Sequence, residues 1–264
     1  MNYFEQLKRR SAEIGSLVCV GLDPDAKRHK VGEIGAYNRA IIEATAPYAA
    51  CFKPNIAFYE QFGIEGLRQL EATLAAIPSG IPVIGDVKRG DIGNTAAAYA
   101  RAMFEGWGFD AITLSPYLGR DSVEPFLAYA DRGLYLLCRT SNPGAADFQY
   151  VRVDGSRPLF EHVALTVTSW SPSIGLVVGA TAPAELQAVR ELVPNASFLV
   201  PGVGAQGGDA GKTIRAAGGT PGSIVVSATR SIMYAGEGPG FAEAAAAAAR
   251  ALRDELAAAV ASLV

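Results

Sequence analysis

The sequence predicts a closed (β/α)8 TIM barrel, folded as a single domain over residues 1–264. Three observations predict it. Eight apolar runs of strand length recur along the chain. They recur at intervals of about 30 residues, the length of one β-α unit. Most are apolar at nearly every position instead of alternating, as in strands covered on both faces of a parallel sheet. The competing architecture, an open doubly wound sheet, calls for a GxGxxG turn after the first strand. The chain has Gly21-Leu22-Asp23-Pro24 there instead.

Taken in order, Met1–Arg10 is an amphipathic charged stretch without the apolar core of a signal peptide. The strand runs are Leu17–Leu22, Cys51–Asn55, Val83–Val87, Ala111–Leu114, Leu134–Cys138, Gly175–Val178, Phe198–Val200 and Ile224–Val226. Between them lie helical patterns. Gly66–Ile77 has Leu67, Leu70 and Leu74 at helical spacing and stops at Pro78. Asn94 is placed to cap Thr95–Glu105, and Thr181 with Pro183 marks the start of Glu185–Val193. Phe241–Leu263 is a long alanine-rich helix, with Arg250, Arg253, Asp254 and Glu255 on its wet face. No linker divides the chain, and the polar segment Asp147–Pro158 fits no element.

Composition narrows the function. Half the residues are hydrophobic and 19% are charged, so a large core is expected. The net charge is −3 and there is no basic block, which argues against an extended nucleic-acid surface. No uncharged apolar run reaches the length of a membrane span. Cys19, Cys51 and Cys138 sit in apolar runs and form no CxxC pair, so they read as small core residues of a reducing cytoplasm. His29 and His162 are too few and too far apart in sequence for a zinc site or a Ser-His-Asp triad. No metal site is expected.

In such a barrel the chemistry lies where the strands end. Asp23 ends the first run, Lys53 lies in the second, and the third continues Asp86-Val87-Lys88-Arg89-Gly90-Asp91. Asp86 and Lys88 are two residues apart and share a strand face. An isolated pair of this kind is usually a structural salt bridge. Four alternating charges at one mouth are costly for stability alone and point to a preorganised site. Pro201-Gly202-Val203-Gly204-Ala205-Gln206-Gly207-Gly208 offers small residues whose backbone N–H groups can approach an anion, and Arg230 follows the eighth run. Together they read as a phosphate cradle.

The blocks Val20–Asp23, Phe52-Lys53-Pro54-Asn55, Asp86–Thr95, Thr140-Ser141-Asn142-Pro143-Gly144, Pro201–Gln206 and Arg230-Ser231-Ile232 closely resemble the orotidine 5'-phosphate decarboxylase family, in its longer bacterial (type 2) branch. The resemblance runs from the first strand to the last. It implies a cytoplasmic homodimeric enzyme of pyrimidine biosynthesis that converts orotidine 5'-monophosphate to uridine 5'-monophosphate without metal or cofactor. It implies that Lys88 is the proton donor, that Asp86 lies beside the departing carboxylate, and that Lys53 and Asp23 hold the ribose hydroxyls and complete the charge network. Asp91, with Ile92 and Thr95, would be lent across the dimer interface to the neighbouring site. Ser141 would contact the pyrimidine, while Pro201, Gly202, Gln206 and Arg230 would serve the phosphate.

Two other readings stay open from the residues themselves. One is a related sugar-phosphate lyase of the same barrel group, dependent on Mg²⁺ and needing a further acidic ligand. The other is a non-catalytic nucleotide-phosphate sensor, which has no need of the inward charges.

Overall fold

Eight parallel strands form a barrel in a computed structural model that describes residues 1–153, 155–203 and 207–263. The strands are β1 (Val18–Gly21), β2 (Cys51–Lys53), β3 (Ile84–Arg89), β4 (Ala111–Leu114), β5 (Gly133–Arg139), β6 (Ile174–Val178), β7 (Phe198–Pro201) and β8 (Ile224–Ala228). Each coincides with one of the eight apolar runs. Hydrogen-bonded neighbours run β2-β1-β8-β7-β6-β5-β4-β3. Only two isolated bridges, Phe52 to Val83 and Asn55 to Asp86, join β2 to β3. That seam closes the barrel.

Two apolar clusters follow from the two-residue period of a strand. One takes Cys19, Cys51, Ile84, Ala111, Tyr135, Val177, Leu199 and Val225, one residue from each strand, and fills the barrel interior. The other takes alternate residues such as Val18, Val20, Ile112, Leu134, Leu136 and Val226 and packs them against the helices. The three cysteines are buried and unpaired.

Helix α1 (Tyr3–Ile14) starts with a capping box between Asn2 and Glu5 and stops the lower end of the barrel. Tyr3 is buried there, its ring edge-on to Tyr135 and its hydroxyl bonded to the Tyr135 hydroxyl at 3.3 Å. Outer helices include α2 (Ile34–Thr45), α3 (Gly63–Ala75), α4 (Gly93–Arg101), α5 (Leu159–Thr168), α6 (Pro183–Leu192), α7 (Ala210–Ala217) and α8 (Phe241–Ala261). The predicted cap at Asn94 is not made. Gly93, at φ +53°, turns the chain into α4, so Asn94 falls inside the first turn and no side chain caps it. Past α4 the chain continues as a π turn over Ala102–Gly106. Among the described residues no helix is long and apolar enough to cross a membrane.

Candidate active site

The inward positions one layer above the apolar interior belong to Gly21, Lys53, Asp86, Thr113, Leu137, Pro201 and Ser227. The same two-residue step that put Cys51 and Ile84 inside also puts Lys53 and Asp86 inside. This layer is the floor of a cavity of about 1280 Å³ at the C-terminal ends of the strands. Asp23, Lys53, Asp86, Lys88, Ser141, Pro201, Gly202 and Arg230 all line it. Eight predicted site residues therefore meet in one place.

Asp86 is the hub. Its Oδ2 lies 3.1 Å from Lys53 Nζ and its Oδ1 lies 2.5 Å from Lys88 Nζ. Burial works against ionisation of Asp86, but the two ammonium groups overcome it and hold the carboxyl below its ordinary range. Burial likewise opposes a charged Lys53, and the carboxylates of Asp23 and Asp86 reverse that, keeping it protonated. Asp23 has the opposite balance. Its burial outweighs the attraction of Lys53, and its pKa is raised. One Asp23 oxygen accepts from the Asn55 N–H at 3.1 Å, and the other from the Thr229 hydroxyl at 3.4 Å. Gly21 makes this approach possible, because a Cβ there would come within 1.9 Å of Thr229 Oγ1.

The two lysines differ in access. The Lys53 side chain is 6% exposed, whereas that of Lys88 is 48% exposed and opens on the cavity. Lys88 also has φ +44°, in the left-handed region that side-chain-bearing residues rarely adopt. Its N–H and that of Val87 both bond to Thr113 Oγ1 at 3.0 Å.

Across the cavity, Arg230 stands exposed at the rim, with no ion pair or hydrogen bond to its side chain among the described residues. The loop beside it is pinned at its neck, where the Gly208 N–H bonds to the Gly202 carbonyl at 3.0 Å. A Cβ at Gly208 would fall 2.6 Å from that carbonyl oxygen. Gly204, Ala205 and Gln206 lie outside the described residues.

Asp91, Ile92 and Thr95 do not line the cavity of their own chain. Asp91 accepts the Ile92 N–H at 2.8 Å, and Ile92 is 57% exposed.

Sequence reasoning missed Gln149 and the hydroxyl of Thr113. The unassigned segment carries a small hairpin, Arg152–Val153 with Arg157–Pro158, and returns Gln149 to the cavity wall. Gln149 Oε1 accepts the Thr140 N–H at 2.9 Å, and its Nε2 donates to Thr140 Oγ1 at 2.7 Å. It thereby braces the turn that carries Ser141. Nothing in the local sequence signals this contact. His29 packs beside Tyr37 and Tyr234, while His162 meets Thr166, so the two share no site. Among the described residues no group of three or more His, Cys, Asp or Glu side chains is gathered as a metal centre.

Comparison with known proteins gives a consistent picture. The model of the Orotidine 5'-phosphate decarboxylase / HUMPS family matches residues 16–247. The orotidine 5'-phosphate decarboxylase of Thermomicrobium roseum is 47% identical over 268 residues, covering 97% of this chain and 95% of that protein. Among solved structures, the OMP decarboxylase of Leishmania donovani superposes with a TM-score of 0.83 at 40% identity, covering 96% of this chain and 99% of that one. Leishmania donovani UMP synthase superposes at 0.86 with 42% identity over 96% of this chain, which spans 57% of the longer protein.

Proposed function

The chain belongs to the orotidine 5'-phosphate decarboxylase family, and on that premise we propose that it decarboxylates orotidine 5'-monophosphate to uridine 5'-monophosphate in pyrimidine biosynthesis, with Lys88 as the proton donor. The observation that carries the assignment is the asymmetry of the lysines. Both pair with Asp86, but the Lys88 side chain is half exposed to the cavity while that of Lys53 lies almost covered in its floor. Lys88 is the freer of the two to reach a bound ring.

The reaction breaks the bond between ring carbon C6 and its carboxylate. Carbon dioxide leaves, and the electron pair stays on C6. The Lys88 ammonium stabilises that pair as it develops and then transfers a proton to it, forming the C6–H bond of the product. Solvent returns a proton to Lys88. The chain's own cation does the work of an electron sink, so the mechanism calls for no metal or organic cofactor. Asp86, kept ionised by two lysines, fixes the Lys88 ammonium beside the leaving carboxylate. Asp23 and Lys53 take the ribose hydroxyls, and Ser141 takes the pyrimidine. Arg230, with Pro201, Gly202 and Gln206, takes the phosphate, where an exposed and unpaired guanidinium supports the reading. Phosphate binding remote from C6 then helps to organise the site.

Asp91, Ile92 and Thr95 serve the partner's site in a homodimer. Their position outside their own cavity, with Ile92 bare, supports this. Buried, unpaired cysteines suit a cytoplasmic enzyme.

The test is the ultraviolet change as orotidine 5'-monophosphate is consumed, before and after dialysis against a strong chelator. The wild-type chain is expected to turn over unchanged by chelation. Lys88→Ala is expected to lose more than the ~10²–10⁴-fold of a general acid alone, since it removes the charge stabiliser as well. A folded Lys88→Ala chain within tenfold of wild type would remove Lys88 from its role, and activity that returns only with Mg²⁺ would favour the lyase reading.

A further inference from the structure

Thr113 lies at the centre of the polar layer, on β4 beside β3, and is 1% exposed. A threonine hydroxyl has one proton to donate and two lone pairs to accept with. Here all three are used on a single segment of the neighbouring strand. Oγ1 donates to Asp86 Oδ1 at 2.9 Å and accepts the backbone N–H groups of Val87 and Lys88 at 3.0 Å each.

That pattern is foreign to a regular strand, where successive N–H groups point to opposite neighbours. Two successive N–H groups converge on one oxygen only because the backbone is bent at Lys88. The bend registers twice more. Lys88 is the only described residue other than glycine with positive φ, and the β3–β4 ladder loses register between Gly85 and Arg89. Regular pairing therefore does not fix residue 88. An irregular backbone at a reactive residue persists only when its surroundings hold it, and the group holding this one is the Thr113 hydroxyl.

We propose that Thr113 is a positioning residue, whose hydroxyl holds the bend at Lys88 and ties it to Asp86, so that ammonium and carboxylate are aimed together. The inference rests on the reading of Lys88 as proton donor. Thr113 itself touches no reacting atom. Misaiming a reacting group by about 1 Å costs about a hundredfold in rate, and the loss falls on kcat because the ribose and phosphate contacts are untouched.

The experiment compares Thr113→Ser, which keeps the hydroxyl, with Thr113→Val, which keeps the shape. Each is assayed for kcat and KM, for affinity toward uridine 5'-monophosphate, and for exchange of the product's C6 proton with deuterium from solvent. Exchange reads proton transfer at C6 without decarboxylation. Thr113→Ser is expected to restore most of the activity. Thr113→Val is expected to lose about a hundredfold in both kcat and exchange while product affinity stays within about threefold. If the valine chain does not fold, Thr113→Ala replaces it in the comparison. A valine variant within threefold of wild type in kcat, equal losses in serine and valine, or a loss confined to KM would each overturn the proposal. The crystal structure of Thr113→Val gives a test independent of turnover, so it separates failure of this proposal from failure of the decarboxylase reading. Residue 88 is expected to leave the left-handed region. Lys88 still at positive φ with Nζ on Asp86 would overturn the inference.

Discussion

Lys53 and Asp86 face each other across the β2–β3 seam, which is joined by isolated bridges instead of a ladder, their Nζ and Oδ2 atoms 3.1 Å apart. Where β2 and β3 share few backbone bonds, a buried ion pair spans them. Removing either partner would leave the other with one opposite charge fewer, since Asp86 would keep Lys88 and Lys53 would keep Asp23. Asp86 is held below the ordinary carboxylate range and Lys53 above the ordinary amine range. The stabilisation from Asp86 is thus lost progressively as pH falls from the ordinary carboxylate value to its depressed folded one. That from Lys53 is lost as pH rises from the ordinary amine value to its elevated one.

Arg230 should read the phosphate and nothing else. Arg230→Ala is expected to weaken binding of uridine 5'-monophosphate by about 1.5–3 kcal/mol, the worth of a charge-assisted contact. Uridine binding should hardly change. Calorimetry with both ligands measures the difference, and equal losses would take Arg230 out of the phosphate site.

Asp91 should complement a neighbouring chain. Lys88→Ala and Asp91→Ala chains, each folded and inactive, are mixed under conditions that exchange subunits. Half the dimers become hybrids with one intact site of two, so activity should approach about a quarter of wild type. No gain over the separate variants would mean that Asp91 works within its own chain.

Asp23 should cost stability in the empty protein. Its pKa is raised, burial being the largest cause. The folded chain therefore holds more protons than the unfolded one over the titration range, and stability falls as pH rises through it. Asp23→Asn keeps an acceptor for the Asn55 N–H and removes the charge. Its thermal midpoint should exceed that of wild type at pH 7, by about 2–4 °C per kcal/mol for a chain of this size. The gap should close as pH falls below the carboxylate range. A variant less stable at pH 7 would show that the attraction of Lys53 outweighs the burial.

Gln149 should matter for the ring. Gln149→Ala removes two hydrogen bonds that brace Thr140, each worth about 0.5–1.5 kcal/mol. Affinity for uridine 5'-monophosphate is expected to fall roughly tenfold, the equivalent of about 1.4 kcal/mol. Affinity for ribose 5-phosphate, which lacks the pyrimidine, should stay level. A parallel loss in both would make Gln149 a general support of the loop.

The barrel was legible because parallel strands buried on both faces leave unbroken apolar runs. Ala111–Leu114 is the same four residues as a run and as a strand. The inward charges were legible for the converse reason, since Lys53 and Asp86 interrupt such runs. Thr113 escaped notice because threonine is at home in a strand by shape alone, and a hydroxyl's partners depend on which strand lies beside it. Gln149 escaped because its contact with Thr140 depends on how the hairpin segment folds back. The cap at Asn94 misled because Gly93 turns the chain one residue earlier than a polar cap would. For Asp91, Ile92 and Thr95, a resemblance supplied a role that one chain alone does not display.

Tyr3 gives the barrel a direction. With its ring seated against Tyr135, it stops the lower end among the described residues, and the cavity lies at the opposite end, where Arg230 stands. On the proposed reaction, a gas molecule formed beside Asp86 would have to leave by the same mouth that admits the nucleotide. Both products would then share one exit.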